Sequence, residues 1–235
     1  MILVGIDDTD MPDTPGTNQL ARALAARVAG RYECVRIVRH QLLDDPRVPC
    51  TNKNGSASIL LQPRTSEPLD ALIAELRSGM TARFVAGSDP GLCVAPADSV
   101  RPAVTEFGRR CQRELVDQAA ARRLADALGL HLEALGGTEG GVIGALAAVG
   151  LLASGDDGRV VQLGPSPDDL SGVHDVDTLR ARGVEVQRLV SRVVIREGLV
   201  DVGKRLRPNV RGGRVVLFVS AHDERPDCWQ AVRLP

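Results

Sequence analysis

Aromatic side chains are nearly absent from this 235-residue chain: three Phe, one Tyr and one Trp make up 2% of it. That scarcity removes the stacking platforms on which single-stranded nucleic acid is held, and it leaves the core to Val, Leu, Ala and Ile. An excess of either charge is also lacking. With 29 basic and 30 acidic residues the net charge is -1, which is no global footprint of a nucleic-acid binder, although a local basic patch stays open. No CxxC pair occurs among the five cysteines (Cys34, Cys50, Cys93, Cys111, Cys228), so neither a zinc ribbon nor a disulfide framework is expected. The longest apolar stretch, GVIGALAAVGLLA, falls short of the roughly 20 residues that a membrane helix needs. The short run Ile2-Leu3-Val4 has no basic segment before it and turns acidic at once, unlike a secretion signal. A cytoplasmic protein with reduced thiols and no membrane contact is the expectation.

What is present is a regular alternation of elements. Residues 2–6 read as a buried strand, and 17–30 as an amphipathic helix ending at Gly30. ECVRIVRHQLL and SASILLQ read as strands separated by a long polar loop; EPLDALIAELRSGM reads as a helix and GLCVAPA again as a strand. The order β-α-β-β-α-β is that of a ferredoxin-like unit. Helical stretches near 97–113 and 115–129 follow, then a Gly-rich turn leading into the helix VIGALAAVGLLA. From about residue 156 the pattern is β-rich, with RVVQL, VEVQRLV, RVVIREGL and RVVLFVS as strands and a short helix near 176–182. The predicted class is α+β, with residues 1–155 as one domain and 156–235 as a smaller β-rich region completing the fold.

The first strand runs into GIDDTDMPDTPGTNQLARALA, which crowds Asp7, Asp8, Asp10 and Asp13 at a strand end, just before a Gly16-Thr17 helix start. Carboxylates there repel one another, and a Mg²⁺ ion relieves the repulsion while the helix N-terminus offers N–H groups and a positive dipole end to phosphate. Mg²⁺ takes one or two carboxylates, so Asp7, Asp8 and Asp10 need not all be ligands. Gly16 lets backbone approach a phosphate, and Thr17 caps the helix or touches a phosphate. The plainer alternative is that Asp13 and Thr14 cap turns and the other acids are solvated.

Three further stretches carry chemistry. In GGTEGGVIGALAAVG, glycines around Thr138 and Glu139 expose a second helix N-terminus; the turn either cradles phosphate or ribose or serves close helix packing, with Glu139 the residue able to act as metal ligand or general base. In PRVPCTNKNGSASI, Lys53 stands among Asn52, Asn54 and Gly55, which suits an anion-binding loop and also ordinary turn chemistry. DVGKRLRPNVRGG clusters Lys204, Arg205, Arg207 and Arg211, either a solvated loop or a contact for phosphate or an acidic substrate. His40, near a strand end, reads as structural.

Taken in order, GIDDTDMP, NKNGSA, GSDPGLCVA and GGTEGGVIGALAAVGL resemble the kinase-like catalytic domain of the archaeal tRNA-isoleucine agmatidine synthetase family, over about residues 1–155. That family uses ATP to activate a wobble cytidine and then attaches agmatine. The resemblance implies that Asp7, Asp8 and Asp10 serve ATP and Mg²⁺, with Lys53 as a catalytic cation. It implies nucleotide contacts from Thr9, Gly16, Thr17, Asn18, Asn54, Gly137, Thr138, Glu139, Gly140 and Gly141.

The departures are equally specific. The family follows its acidic motif with two threonines, the second of which takes up a phosphoryl group; here Thr17 is followed by Asn18, which cannot accept one. Lys53 stands where the family has Arg. The family's C-terminal nucleic-acid-binding domain and zinc ribbon have no counterpart before Pro235. The expected function is therefore an ATP- and Mg²⁺-dependent enzyme activating or phosphorylating a small-molecule or nucleotide acceptor, without specific tRNA binding on its own, with homo-oligomerisation left open. A tRNA-modifying enzyme acting with a partner and a non-catalytic nucleotide-binding sensor or subunit are the alternatives.

Overall fold

The computed structural model describes residues 1–48, 53–165 and 170–234; Cys50 and Asn52 of the polar loop fall outside them. Its first half is the expected unit: β1 (Ile2–Asp7), α1 (Thr17–Arg27), β2 (Tyr32–Gln41), β3 (Gly55–Pro63), α2 (Leu69–Thr81) and β4 (Gly91–Pro96). Its four strands lie in the order β4-β1-β3-β2, all antiparallel, the ferredoxin-like arrangement.

Alternation along each strand separates two cores. Ile2, Val4, Ile6, Ile59 and Leu61 point to the face covered by α1 and α2, where Leu20, Leu24, Leu72, Ile73 and Leu76 form the apolar stripes of the two helices. Leu3, Leu60, Cys93 and Ala95 point to the other face. That face is covered by α3 (Pro102–Cys111), α4 (Gln118–Leu128) and α5 (Gly141–Ser154).

The predicted helix over 97–113 is split: a 3-10 turn at Ala97–Ser99 precedes α3, which begins with Pro102 in its first turn, where the missing N–H costs nothing. Asp117 caps α4 by accepting from Ala120 N–H at 2.7 Å, and Gly129 ends it in a left-handed conformation. α5 is apolar on every side and is buried between the sheet and α3. It comes so near β1 that a Cβ on Gly5 would overlap the Ala145 carbonyl.

β5 (His131–Ala134) adds to the β4 edge; β6 (Arg159–Leu163) adds to β2 and carries the sheet into the C-terminal residues. There β7 (Val173–Asp175), α6 (Val176–Ala181), β8 (Val184–Arg188), β9 (Val194–Ile195), β10 (Leu199–Asp201), β11 (Asn209–Arg211), β12 (Arg214–Ala221) and β13 (Cys228–Ala231) follow. The class is α+β and the C-terminal part is β-rich, as expected. RVVIREGL is not one strand. Arg192 and Gly198 both have positive φ and interrupt it, leaving a two-residue bridge in β9 and a new start at Leu199. No helix among the described residues is long and apolar enough to cross a membrane.

Candidate functional site

Antiparallel pairing brings the end of β1 and the starts of β3 and β4 to one edge of the sheet. Asp7 lies opposite Gly91, and Gly55 opposite Gln41 at the end of β2. The loop after β1 leads into α1, and the loop after β5 leads into α5, so both helices start at this edge. Gly141 N–H donates to the Asp89 carbonyl at 3.0 Å, which docks the start of α5 beside β4.

Asp7 sits over the first turn of α5, in the space left by Gly144. Burial, then the neighbouring charge of Asp8, pushes its carboxyl up to about 7, against a hydrogen bond from the Asp8 backbone N–H. Asp8 has φ +50°, the left-handed region that a residue with a side chain enters only at a cost. Its carboxyl is also raised, first by burial and then by Asp89, although the Asp89 N–H donates to it. Two acids are thus held ionisable where ionisation is disfavoured.

Asp10 is turned toward the start of α1. Its Oδ1 accepts from Thr17 N–H at 3.3 Å and from Thr17 Oγ1 at 2.8 Å, and Thr9 Oγ1 donates to Thr17 Oγ1 at 3.2 Å. Gly16, at the N-cap position, has no side chain to cap α1, and Asp10 reaches in from the loop to do so. Thr14 closes the intervening turn on Met11, with Asp13 at φ +64° beside it. Asn18 Oδ1 is buried with no hydrogen-bond partner.

The Gly-rich turn folds around Asp89. Thr138 N–H donates to Asp89 Oδ1 at 2.5 Å, Thr138 Oγ1 donates to Asp89 Oδ2, and a Cβ on Gly137 would overlap that carboxylate. Gly140 lies against Asp89 as well. Glu139 does not join the acids: its Oε2 pairs with Arg122 on α4 at 2.6 Å. Lys53 lies exposed on the loop entering β3. Asn54 holds that loop in place, its Nδ2 donating to the Leu43 carbonyl at 2.8 Å.

Two positions at this edge escape sequence reading. Asp89 lies in the quoted GSDPG stretch, and only the fold puts its carboxylate between Asp8 and the glycine turn. Ser56 is 1% exposed with an unpartnered Oγ, opposite His40 and one residue beyond the β1–β3 pairs that end at Ile6 and Ala57. His40 is a core residue, as expected: its Nδ1 meets Asp157 Oδ2 and its Nε2 meets Ser58 Oγ, both at 2.7 Å.

Among the described residues no three His, Cys, Asp or Glu side chains are grouped to hold a metal by themselves. Asp7 and Asp8 nonetheless suit Mg²⁺, which needs one or two carboxylates and fills its remaining positions with phosphate oxygens and water. Burial and neighbouring carboxylates disfavour both charges, a cost that a bound cation would relieve.

The sequence matches no family model and no curated protein. Solved structures do match. A tRNA fluorescent labeling enzyme is 22% identical with a TM-score of 0.54, covering 63% of this chain and 35% of its own. Apo tRNAIle2 agmatidine synthetase is 21% identical with a TM-score of 0.53 and the same coverage. Its complex with tRNA(Ile2) and ATP is 22% identical with a TM-score of 0.54, covering 63% of this chain and 36% of its own. The chain thus spans about a third of the length of these structures. Over 63% of its residues the chain has the fold found in tRNAIle2 agmatidine synthetase, as its four motifs imply.

Proposed function

We propose that this chain is an ATP- and Mg²⁺-dependent enzyme that activates or phosphorylates a small-molecule or nucleotide acceptor. The observation that carries this reading is the pair Asp7 and Asp8, set between the starts of α1 and α5 with both carboxyls raised. A cation between them removes their repulsion, and the two helix starts supply N–H groups and dipole ends for phosphate. The agmatidine synthetase structure of the same fold that holds ATP supports the nucleotide assignment.

In this reading bound Mg²⁺ would neutralise phosphate charge, held by Asp7 and Asp8. Asp10, Thr9 and Thr17 fix the start of α1, and are positioning residues. Asp89 holds the glycine turn through Thr138 and so sets the path of backbone at Gly137, Gly140 and Gly141. Lys53 would close over the phosphates from the β3 side. Such a site works by positioning and electrostatics, which suits phosphoryl or nucleotidyl transfer. Two further proposals follow: that residues 1–155 form the catalytic unit, completed by 156–235, and that the thiols stay reduced in a cytoplasmic setting.

Turnover decides. Release of ADP or AMP from ATP, dependent on Mg²⁺ and on an added nucleotide or small-molecule acceptor, supports the enzyme. Mg-ATP binding with no turnover for any acceptor would leave a nucleotide sensor instead. The tRNA complexes of the similar synthetase favour one further assay, turnover stimulated by tRNA together with a partner protein.

A further inference from the structure

Across the sheet from Asp7, arginines meet without acids. Arg39 on β2 and Arg159 on β6 are directly opposed in the strand pairing, an arrangement of like charges that destabilises a sheet. Their neighbours Val38 and Val160 belong to the core under α5, so both arginines point to the α1 face. From α1, Arg22 Nη2 reaches the Val161 carbonyl on that same face, at 2.5 Å. Arg207 joins from the loop before β11. Burial, and then the charges of Arg205, Arg22, Arg159 and Arg233, lowers its guanidinium to about 10.

Two details make this more than a basic surface. The Nε atoms of Arg22 and Arg159 are buried with no hydrogen-bond partner, a cost that a folded protein carries only where something else offsets it. Among the described residues no carboxylate pairs with Arg22, Arg39, Arg159, Arg205, Arg207 or Arg233, although arginines elsewhere, such as Arg31 and Arg77, are paired. Free of ligand, the cluster is a net repulsion.

We infer that this arginine cluster is a binding site for a small molecule carrying two or more phosphate groups. Planar guanidinium groups bind phosphate through paired N–H donors. Each phosphate monoester brings about 1.5 to 2 negative charges, so two or three phosphates match the cations present. Arg22, Arg39, Arg159 and Arg207 are half-buried, unlike the exposed flexible cations that track a nucleic-acid backbone. The scarcity of aromatics argues the same way. The site is separate from the nucleotide site: Asp7 ends β1, whereas Arg39 and Arg159 lie two and three strands away, on β2 and β6.

The test is calorimetric titration with inorganic tripolyphosphate in EDTA, without Mg²⁺. Saturable binding at one site per chain is expected, weakened at least tenfold in Arg159→Gln and again in Arg207→Gln. Arg159→Gln is also expected to raise the melting temperature of the free protein, while Arg207→Gln, in a loop, leaves folding intact. Asp8→Asn should bind tripolyphosphate as the wild type does. The inference is overturned by the absence of saturable binding, by binding that neither arginine change weakens, or by tighter binding in Asp8→Asn, since removing a negative charge strengthens an anion held at the nucleotide site. It is overturned too if a twelve-residue oligouridylate binds more tightly than tripolyphosphate, the behaviour of a nucleic-acid surface.

Discussion

Asp7 and Gly144 share one space: a Cβ on residue 144 would overlap Asp7 Oδ2. The missing side chain on α5 is what lets the carboxylate at the end of β1 lie over the first turn of that helix. Gly144→Ala should therefore destabilise the protein by about 1–3 kcal/mol through overpacking and abolish the Mg²⁺-dependent part of ATP binding. In an Asp7→Ala background the clash is gone and alanine is the better helix former by about 1 kcal/mol, so the same change should be neutral or stabilising. A thermal-denaturation double-mutant cycle measures the difference, and additive effects would mean the two residues are not in contact.

The raised carboxyl of Asp7 has a signed consequence for pH. A carboxyl that moves from 3.8 in the unfolded chain to about 7 in the fold favours folding fully below pH 3.8, and that advantage is lost as pH rises through about 7. Asp7→Asn removes the group. The variant should match the wild type below about pH 4, then gain on it progressively, reaching a constant advantage above about pH 8. An advantage of about 1–3 kcal/mol is expected, scaled down for the part of the carboxylate open to water. Melting curves across this range in EDTA give the profile; a difference independent of pH would contradict it.

Asp10 and Asp8 should part company. Asp10 caps α1 through Thr17, so Asp10→Ala should lower the stability of the nucleotide-free protein by about 0.5–2 kcal/mol. Asp10→Asn, which keeps an acceptor oxygen, should cost less. Asp8→Asn relieves repulsion from Asp89 and Asp10 and should leave the nucleotide-free protein as stable or more so. Chemical denaturation of the three variants orders them.

The ferredoxin-like unit was legible because each of its elements carries its own periodicity. β1 alternates between two buried faces, and α1 and α2 each carry a single apolar stripe. The short strands β5, β7, β11 and β13 were not legible: three or four residues show no period, and their partners are distant in sequence. At the site, the acids and the glycine turn could be read as motifs, but their partners could not. Nothing local says that Asp89 sits inside the turn at 137–141, that Glu139 pairs with Arg122, or that Asp10 turns back to Thr17. The arginine cluster was half legible. Arg205 and Arg207 stood out in a basic loop, whereas Arg39 and Arg159 meet only because β6 pairs with β2.

Asp157 gives the acid limb of stability. Burial alone would raise its carboxyl, but hydrogen bonds from His40 and Gln112 hold it below the usual carboxylate range. A depressed carboxyl contributes stability above its unfolded value and loses it as pH falls through the folded one. Asp157→Ala leaves His40 Nδ1 unpartnered in the core and should cost about 1–3 kcal/mol at pH 7. Its stability should also fall less steeply than that of the wild type below about pH 4, as equilibrium denaturation at each pH would show.

The most direct measurement is the melting temperature of wild type and Asp8→Asn, each with and without Mg-ATP. Ligand at a hundredfold excess over Kd stabilises a fold by about 2.7 kcal/mol. The wild type should therefore melt well above its nucleotide-free form with Mg²⁺ and ATP together, and higher than with ATP alone in EDTA. Asp8→Asn should start as high or higher and gain no more from Mg-ATP than from ATP alone in EDTA. A wild type unmoved by millimolar Mg-ATP would contradict the nucleotide site, and so would an Asp8→Asn variant that melts lower when free of nucleotide yet keeps the full shift.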